Sequence, residues 1–152
     1  RMIELNGGEN SGKVITTGSS MGGAHSVNFF LRRPDIFDTV VALSGVYHAS
    51  EFFGDYMDET LYNNSPNDFL PNLPNNHFYI NEYNNSNIII CVGQGAWEDQ
   101  MLDSTRRLQQ IFADKGIRGW FDYWGLDVNH DWPWWKVQMP YLLNHLFGDP
   151  NA

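Results

Sequence analysis

The chain has 152 residues and a formal net charge of −9, with 9 lysines and arginines against 18 aspartates and glutamates. That length holds one domain with a real core rather than two. Acidity and scattered bases exclude a nucleic-acid-binding surface, and no apolar run approaches the roughly 18 residues of a membrane helix.

The opening Arg1-Met2-Ile3-Glu4-Leu5-Asn6 reads like the tail of a helix, so the chain is expected to begin inside a larger domain. It shows no signal or transit peptide. Asn6-Gly7-Gly8 marks a turn. The β-branched run Lys13 to Thr17 predicts a buried strand. Gly18 to Gly23 is a tight Gly-rich turn, and Ala24 to Arg33 predicts a helix with Val27, Phe30 and Leu31 on one face, stopped by Pro34. Thr39 to Leu43 is a second strand, closed by Ser44-Gly45.

Residues 46 to 87 form a long insertion rich in asparagine and interrupted by Pro66, Pro71 and Pro74. Its many aromatics, among them Phe52, Phe53, Tyr56 and Tyr62, distinguish it from a disordered linker. Short helices are expected there. Ile88 to Val92 is a third strand. It carries the single cysteine, Cys91, which reads as an inert core thiol. That thiol fits a reducing compartment and slightly favours a cytoplasmic location. Asp99 to Lys115 predicts a strong helix with Leu102, Leu108, Ile111 and Phe112 inward and Gly116 as its stop. Trp120 to Trp124 is a fourth strand, residues 125 to 131 a loop, and Pro133 opens a last helix reaching about Phe147. Strands alternating with helices predict an α/β fold, with a mostly parallel sheet covered on both faces.

Gly18-Ser19-Ser20-Met21-Gly22 matches the G-x-S-x-G pattern. A strand ends directly before it and a helix begins directly after it, which is the setting of a nucleophile elbow. In such a turn the hydroxyl of Ser20 stands above the sheet edge. Gly18 and Gly22 are expected to leave room where a Cβ would clash, and the Met21 N–H is expected to face the developing oxyanion. A serine hydroxyl needs a base. Of the five histidines, His25 lies on the helix after the elbow, His48 near the end of the second strand, His77 in the insertion and His145 on the last helix. His130 stands in the loop after the last strand, on the same sheet edge as the elbow. It is the candidate base. The acid should fall between serine and histidine in chain order, and both Glu98 and Asp99 follow the third strand.

These residues, with His130-Asp131-Trp132-Pro133-Trp134-Trp135, resemble the Putative esterase family of α/β-hydrolases, which includes feruloyl-esterase-like enzymes, esterase D relatives and mycolyltransferases. The resemblance runs from about Lys13 to Phe147. It implies an α/β-hydrolase three-layer sandwich and a serine carboxylic-ester hydrolase acting on a small-molecule ester. It also implies Asp99 as the acid, because Arg106-Arg107-Leu108 follows it at the family's spacing, with Glu98 as the alternative. The family has several strands before the elbow, and one loop among them supplies a second oxyanion N–H. Residues 1 to 152 are therefore expected to be the C-terminal part of one domain, completed by its N-terminal part. The same triad could serve an acyltransferase, and a hydrolase-like chain could also be a non-catalytic binding module. No metal-ligand spacing and no cofactor motif is present, so neither a metal nor a cofactor is expected, and no nucleic-acid or membrane partner.

Overall fold

A computed structural model describes residues 14–148. The expected helix tail at Met2 to Leu5, the turn at Asn6-Gly7-Gly8 and the strand position Lys13 lie outside the described residues.

Four parallel strands form one sheet in the order β1-β2-β3-β4: β1 (Ile15–Ser19), β2 (Thr39–Leu43), β3 (Asn87–Val92) and β4 (Trp120–Tyr123). Helix α1 (Met21–Arg32) joins β1 to β2. Between β2 and β3 lie α2 (Ser50–Phe53), α3 (Glu59–Tyr62), α4 (Pro66–Phe69), a 3₁₀ turn (Leu70–Asn72) and α5 (Phe78–Asn84). Helix α6 (Asp99–Lys115) joins β3 to β4, and α7 (Trp132–Phe147) follows β4.

β1, β2 and β3 form where β-branched residues run together and β4 on an aromatic run, and their period of two sorts side chains to the two faces. Val40, Ala42, Ile88 and Ile90 point to one face, where Val27, Phe30 and Leu31 of α1 and Leu108, Ile111 and Phe112 of α6 cover them. Val41, Leu43, Ile89 and Cys91 point to the other, where Trp135 and Leu142 of α7 close the third layer. Each such side chain removed from water contributes on the order of 2 kcal/mol. Cys91 is fully buried, and burial pushes its thiol well above the usual range.

At the junction between β1 and α1, two boundaries differ from the sequence expectation by two residues or more. Gly18 and Ser19 belong to β1, paired with Ala42 and Leu43, and α1 starts at Met21 rather than Ala24. Both shifts have one cause: the turn between strand and helix is a single residue, Ser20. Leu102, expected inward, is only half-buried. The inward face of α6 is Met101, Ser104, Thr105, Leu108, Ile111 and Phe112.

Register carries the fold to its site. Ser19 pairs with Leu43 and Leu43 with Cys91, so the carboxyl ends of β1, β2 and β3 finish level. Parallel order makes their following loops share one edge.

Candidate active site

Ser20 is the one-residue elbow. Its backbone sits at φ 55° and ψ −123°, a conformation that costs a residue with a side chain on the order of 1 kcal/mol. The turn is held by its N–H donating to the Leu43 carbonyl (2.9 Å) and its own carbonyl accepting from Ala24 N–H (3.1 Å). The close approaches that require glycine are at Gly18, where a Cβ would run into the Gly22 backbone, and at Gly23, where it would meet the Leu43 carbonyl oxygen at 2.7 Å. A Cβ on Gly22 itself would meet nothing within 4 Å. The expectation that Gly22 must leave room for a neighbour is thus corrected: its backbone is the neighbour for which Gly18 leaves room. Met21 is the first residue of α1, so its N–H has no acceptor within the helix.

His130 reaches Ser20 across the sheet edge, with Nε2 at 2.9 Å from Ser20 Oγ. Its other ring nitrogen, Nδ1, lies 3.3 Å from Glu98 Oε2. An ionised carboxylate can only accept, so Nδ1 carries the proton and donates it to Glu98, leaving the Nε2 lone pair for the Ser20 hydroxyl. Asp131, next in sequence, has a separate task. Its side chain accepts from Trp132 N–H (2.7 Å) and caps α7, with Pro133 in the first turn. Trp135, one turn further, sets its ring edge-on to the His130 imidazole at a centroid distance of 4.9 Å.

The structure brings Glu98 to His130 and leaves Asp99 exposed. The reason is helical phase. Glu98 precedes the first turn of α6 and lies three and seven residues before Met101 and Thr105, both buried, so it continues their face inward. Asp99 is rotated about 100° from that direction. It stands at the helix N-terminus, where its charge meets the helix dipole. Trp97 before Glu98 takes a left-handed φ of 68°, which completes the turn into the helix. The inward periodicity of α6, extended one turn backward, is the sequence signal that separates the two carboxylates.

Glu98 is 1% exposed. Burial raises its carboxyl above the ordinary carboxylate range, and hydrogen bonds from Ser44 and His130 oppose that rise. Ser44 Oγ donates to Glu98 Oε1 at 2.6 Å and accepts from Trp135 Nε1–H at 3.3 Å. The loops that carry Glu98 and His130 are tied together by backbone. Gly95 N–H donates to the Val128 carbonyl (2.8 Å) and His130 N–H to the Ala96 carbonyl (2.9 Å). Ala96 N–H donates to Asn129 Oδ1 (2.8 Å).

Beside Met21, the insertion roofs a largely apolar cavity of about 330 Å³ whose lining includes Ala24, Val46, Phe52, Phe53 and Leu61. His48 also lines it, with Nδ1 3.1 Å from Ser104 Oγ and Nε2 3.0 Å from Glu51 Oε1. His25 stacks on Phe29, and the exposed His145 packs against Trp120. His77 caps α5 through its side chain. Neither among these four nor elsewhere among the described residues do three His, Cys, Asp or Glu side chains gather as a metal ion would need. No helix among the described residues is long and apolar enough to cross a membrane.

A family model described as Putative esterase matches residues 1–146. A search of curated proteins gave no match. Among solved structures, the chain is similar to a ferulic acid esterase, with a TM-score of 0.68 at 20% identity over 86% of this chain and 48% of that one. It is similar to a fluorophosphonate-binding serine hydrolase of Staphylococcus aureus, with a TM-score of 0.70 at 17% identity over 97% and 60%. The S-formylglutathione hydrolase of the same organism gives a TM-score of 0.67 at 18% identity over 95% and 56%. The chain therefore spans about half to three fifths of the length of these proteins, and shares with them the α/β-hydrolase fold.

Proposed function

The chain belongs to the Putative esterase family, and from that premise we propose that it is a serine esterase with Ser20 as nucleophile, His130 as general base and Glu98 as the acid. The observation that carries the reading is one line of contacts: Ser20 Oγ to His130 Nε2 at 2.9 Å and His130 Nδ1 to Glu98 Oε2 at 3.3 Å. It begins at a strained elbow serine.

In this reading Ser20 Oγ attacks the ester carbonyl as His130 Nε2 takes its proton. The imidazolium that results is stabilised by Glu98. The tetrahedral oxyanion accepts from Met21 N–H at the positive end of α1. His130 gives its proton to the departing alkoxide, and the alcohol leaves an acyl group on Ser20. Water, deprotonated by His130, then releases the acid and restores the serine. The cavity beside Met21 suits an apolar acyl group, with Phe52, Phe53 and Leu61 as its walls.

Labelling with a fluorophosphonate and turnover of a panel of p-nitrophenyl esters test the proposal. The expected result is labelling and ester hydrolysis, both absent in Ser20→Ala. An unlabelled wild type, or equal labelling of Ser20→Ala, overturns it in favour of a non-catalytic module. Product partitioning in favour of added alcohols over water would make the enzyme an acyltransferase instead.

A further inference from the structure

Ser20 has a counterpart on the next strand. Ser44 directly follows Leu43, the register partner of Ser19, so the two serines occupy equivalent positions on neighbouring strands. Both take a left-handed backbone, φ 55° at Ser20 and φ 50° at Ser44. Glycine adopts such a φ without strain and serine does not. Ser44 is also fully buried, at 0% exposure, where a hydroxyl is costly unless it is hydrogen-bonded. A strained, buried serine in place of glycine calls for a use of its hydroxyl.

We infer that Ser44 is a positioning residue for the acid, its hydroxyl holding the Glu98 carboxylate ionised and turned toward His130. The inference rests on the esterase reading above.

Donor chemistry sets the direction of the contacts. The indole Nε1 of Trp135 can only donate, so at 3.3 Å it fills an acceptor site on Ser44 Oγ. The single hydroxyl proton is then free for Glu98 Oε1, 2.6 Å away. The sequence runs from Trp135 N–H to Ser44 O–H to Glu98, and Glu98 in turn accepts from His130. With Oε1 held by Ser44, the carboxylate cannot rotate without breaking a charge-assisted hydrogen bond, and Oε2 stays on Nδ1. Ser44 is itself fixed by its N–H, which donates to the Cys91 carbonyl at 2.8 Å. Trp135 packs edge-on against the imidazole, so one indole steadies both ends of the acid–base pair.

Among the described residues, Glu98 contacts the His130 imidazole, and its charge also bears on Cys91 of β3 and Tyr47 beyond β2. Burial keeps the thiol and the phenol protonated across the working range. A change in the acid limb of a pH profile therefore reports the Glu98–His130 pair as a unit.

The test is the rate of fluorophosphonate labelling, and of p-nitrophenyl acetate hydrolysis, against pH for wild type, Ser44→Ala and Ser44→Gly. Ser44→Ala removes only the hydroxyl and keeps the strained Cβ, whereas Ser44→Gly removes the whole side chain and with it the backbone strain, so the pair separates folding from function. The expected result is a folded Ser44→Gly whose acid limb moves to higher pH by about one unit, with rates near neutrality reduced about tenfold. Ser44→Ala should move the limb the same way. An unshifted limb in both variants, with rates unchanged or lowered equally at every pH, overturns the positioning role while leaving the esterase reading intact. A wild type that does not label at any pH overturns the esterase reading, and this inference with it.

Discussion

Glu98 and His130 meet at 3.3 Å between Oε2 and Nδ1, and the loops on which they stand are bound to each other by backbone as well. Gly95 N–H to the Val128 carbonyl and His130 N–H to the Ala96 carbonyl place the acid loop and the histidine loop in one frame. Glu98 is thus set by the same hydrogen bonds that set His130, and which carboxylate meets the imidazole follows from which side chain that frame turns inward.

Substitution should separate the adjacent carboxylates sharply. Glu98→Gln keeps size and one acceptor but leaves the imidazole without its ionised partner, and kcat is expected to fall about a thousandfold. Asp99→Asn, at an exposed helix start, should stay within about twofold of wild type. Steady-state kinetics on a p-nitrophenyl ester decide it. Reversed effects would return the acid to Asp99.

Burial raises the Glu98 carboxyl in the folded state. Between the ordinary carboxylate value and the raised one, the folded protein therefore binds more protons than the unfolded chain, and stability falls as pH rises through that window. Glu98→Gln carries no charge at any pH. Thermal melts from about pH 4 to 7 should show wild type losing stability relative to Glu98→Gln as pH increases. A constant difference would mean that the carboxylate is not penalised by burial.

The elbow stores strain at Ser20, with φ 55° and ψ −123°. Ser20→Ala keeps the Cβ that the conformation disfavours, whereas Ser20→Gly removes it. Both variants should be inactive, and Ser20→Gly should be the more stable by about 1 kcal/mol, or about 2–4 °C in melting temperature for a domain of this size. Differential scanning calorimetry of the two gives the comparison. Equal melting temperatures would argue that the turn is relaxed.

The cavity beside Met21 has a volume of about 330 Å³ and Leu61 in its wall. Leu61→Trp should fill part of it. The kcat/KM for butyrate and longer p-nitrophenyl esters is expected to drop about tenfold or more against acetate. A uniform loss across chain lengths would place the acyl group elsewhere.

Much of the architecture is legible from local patterns. The four strands, α6 and the α7 start at Trp132-Pro133 follow from β-branched or aromatic runs, from apolar periodicity and from capping residues. What blurs is the junction between β1 and α1. A one-residue turn leaves no polar or Gly-Pro stretch of its own, so Gly18 and Ser19 read as loop although they pair with Ala42 and Leu43. The Ser44 contact with Glu98 spans 54 residues, and nothing near either residue in the chain signals it.

The nucleophile candidate is written in five consecutive residues, Gly18 to Gly22, because an elbow needs only local backbone geometry and a missing Cβ at Gly18. His130 follows from chain order, since any loop after a parallel strand reaches the same sheet edge. Tertiary packing turns Glu98 rather than Asp99 to the imidazole, along a phase that the periodicity of α6 only hints at, and it alone brings Ser44 and Trp135 to Glu98. Two neighbours at a helix start differ by about 100° in direction, and only the burial of one face of α6 against the sheet, with the 93–98 loop bound to the 125–130 loop, chooses which of them points to the histidine.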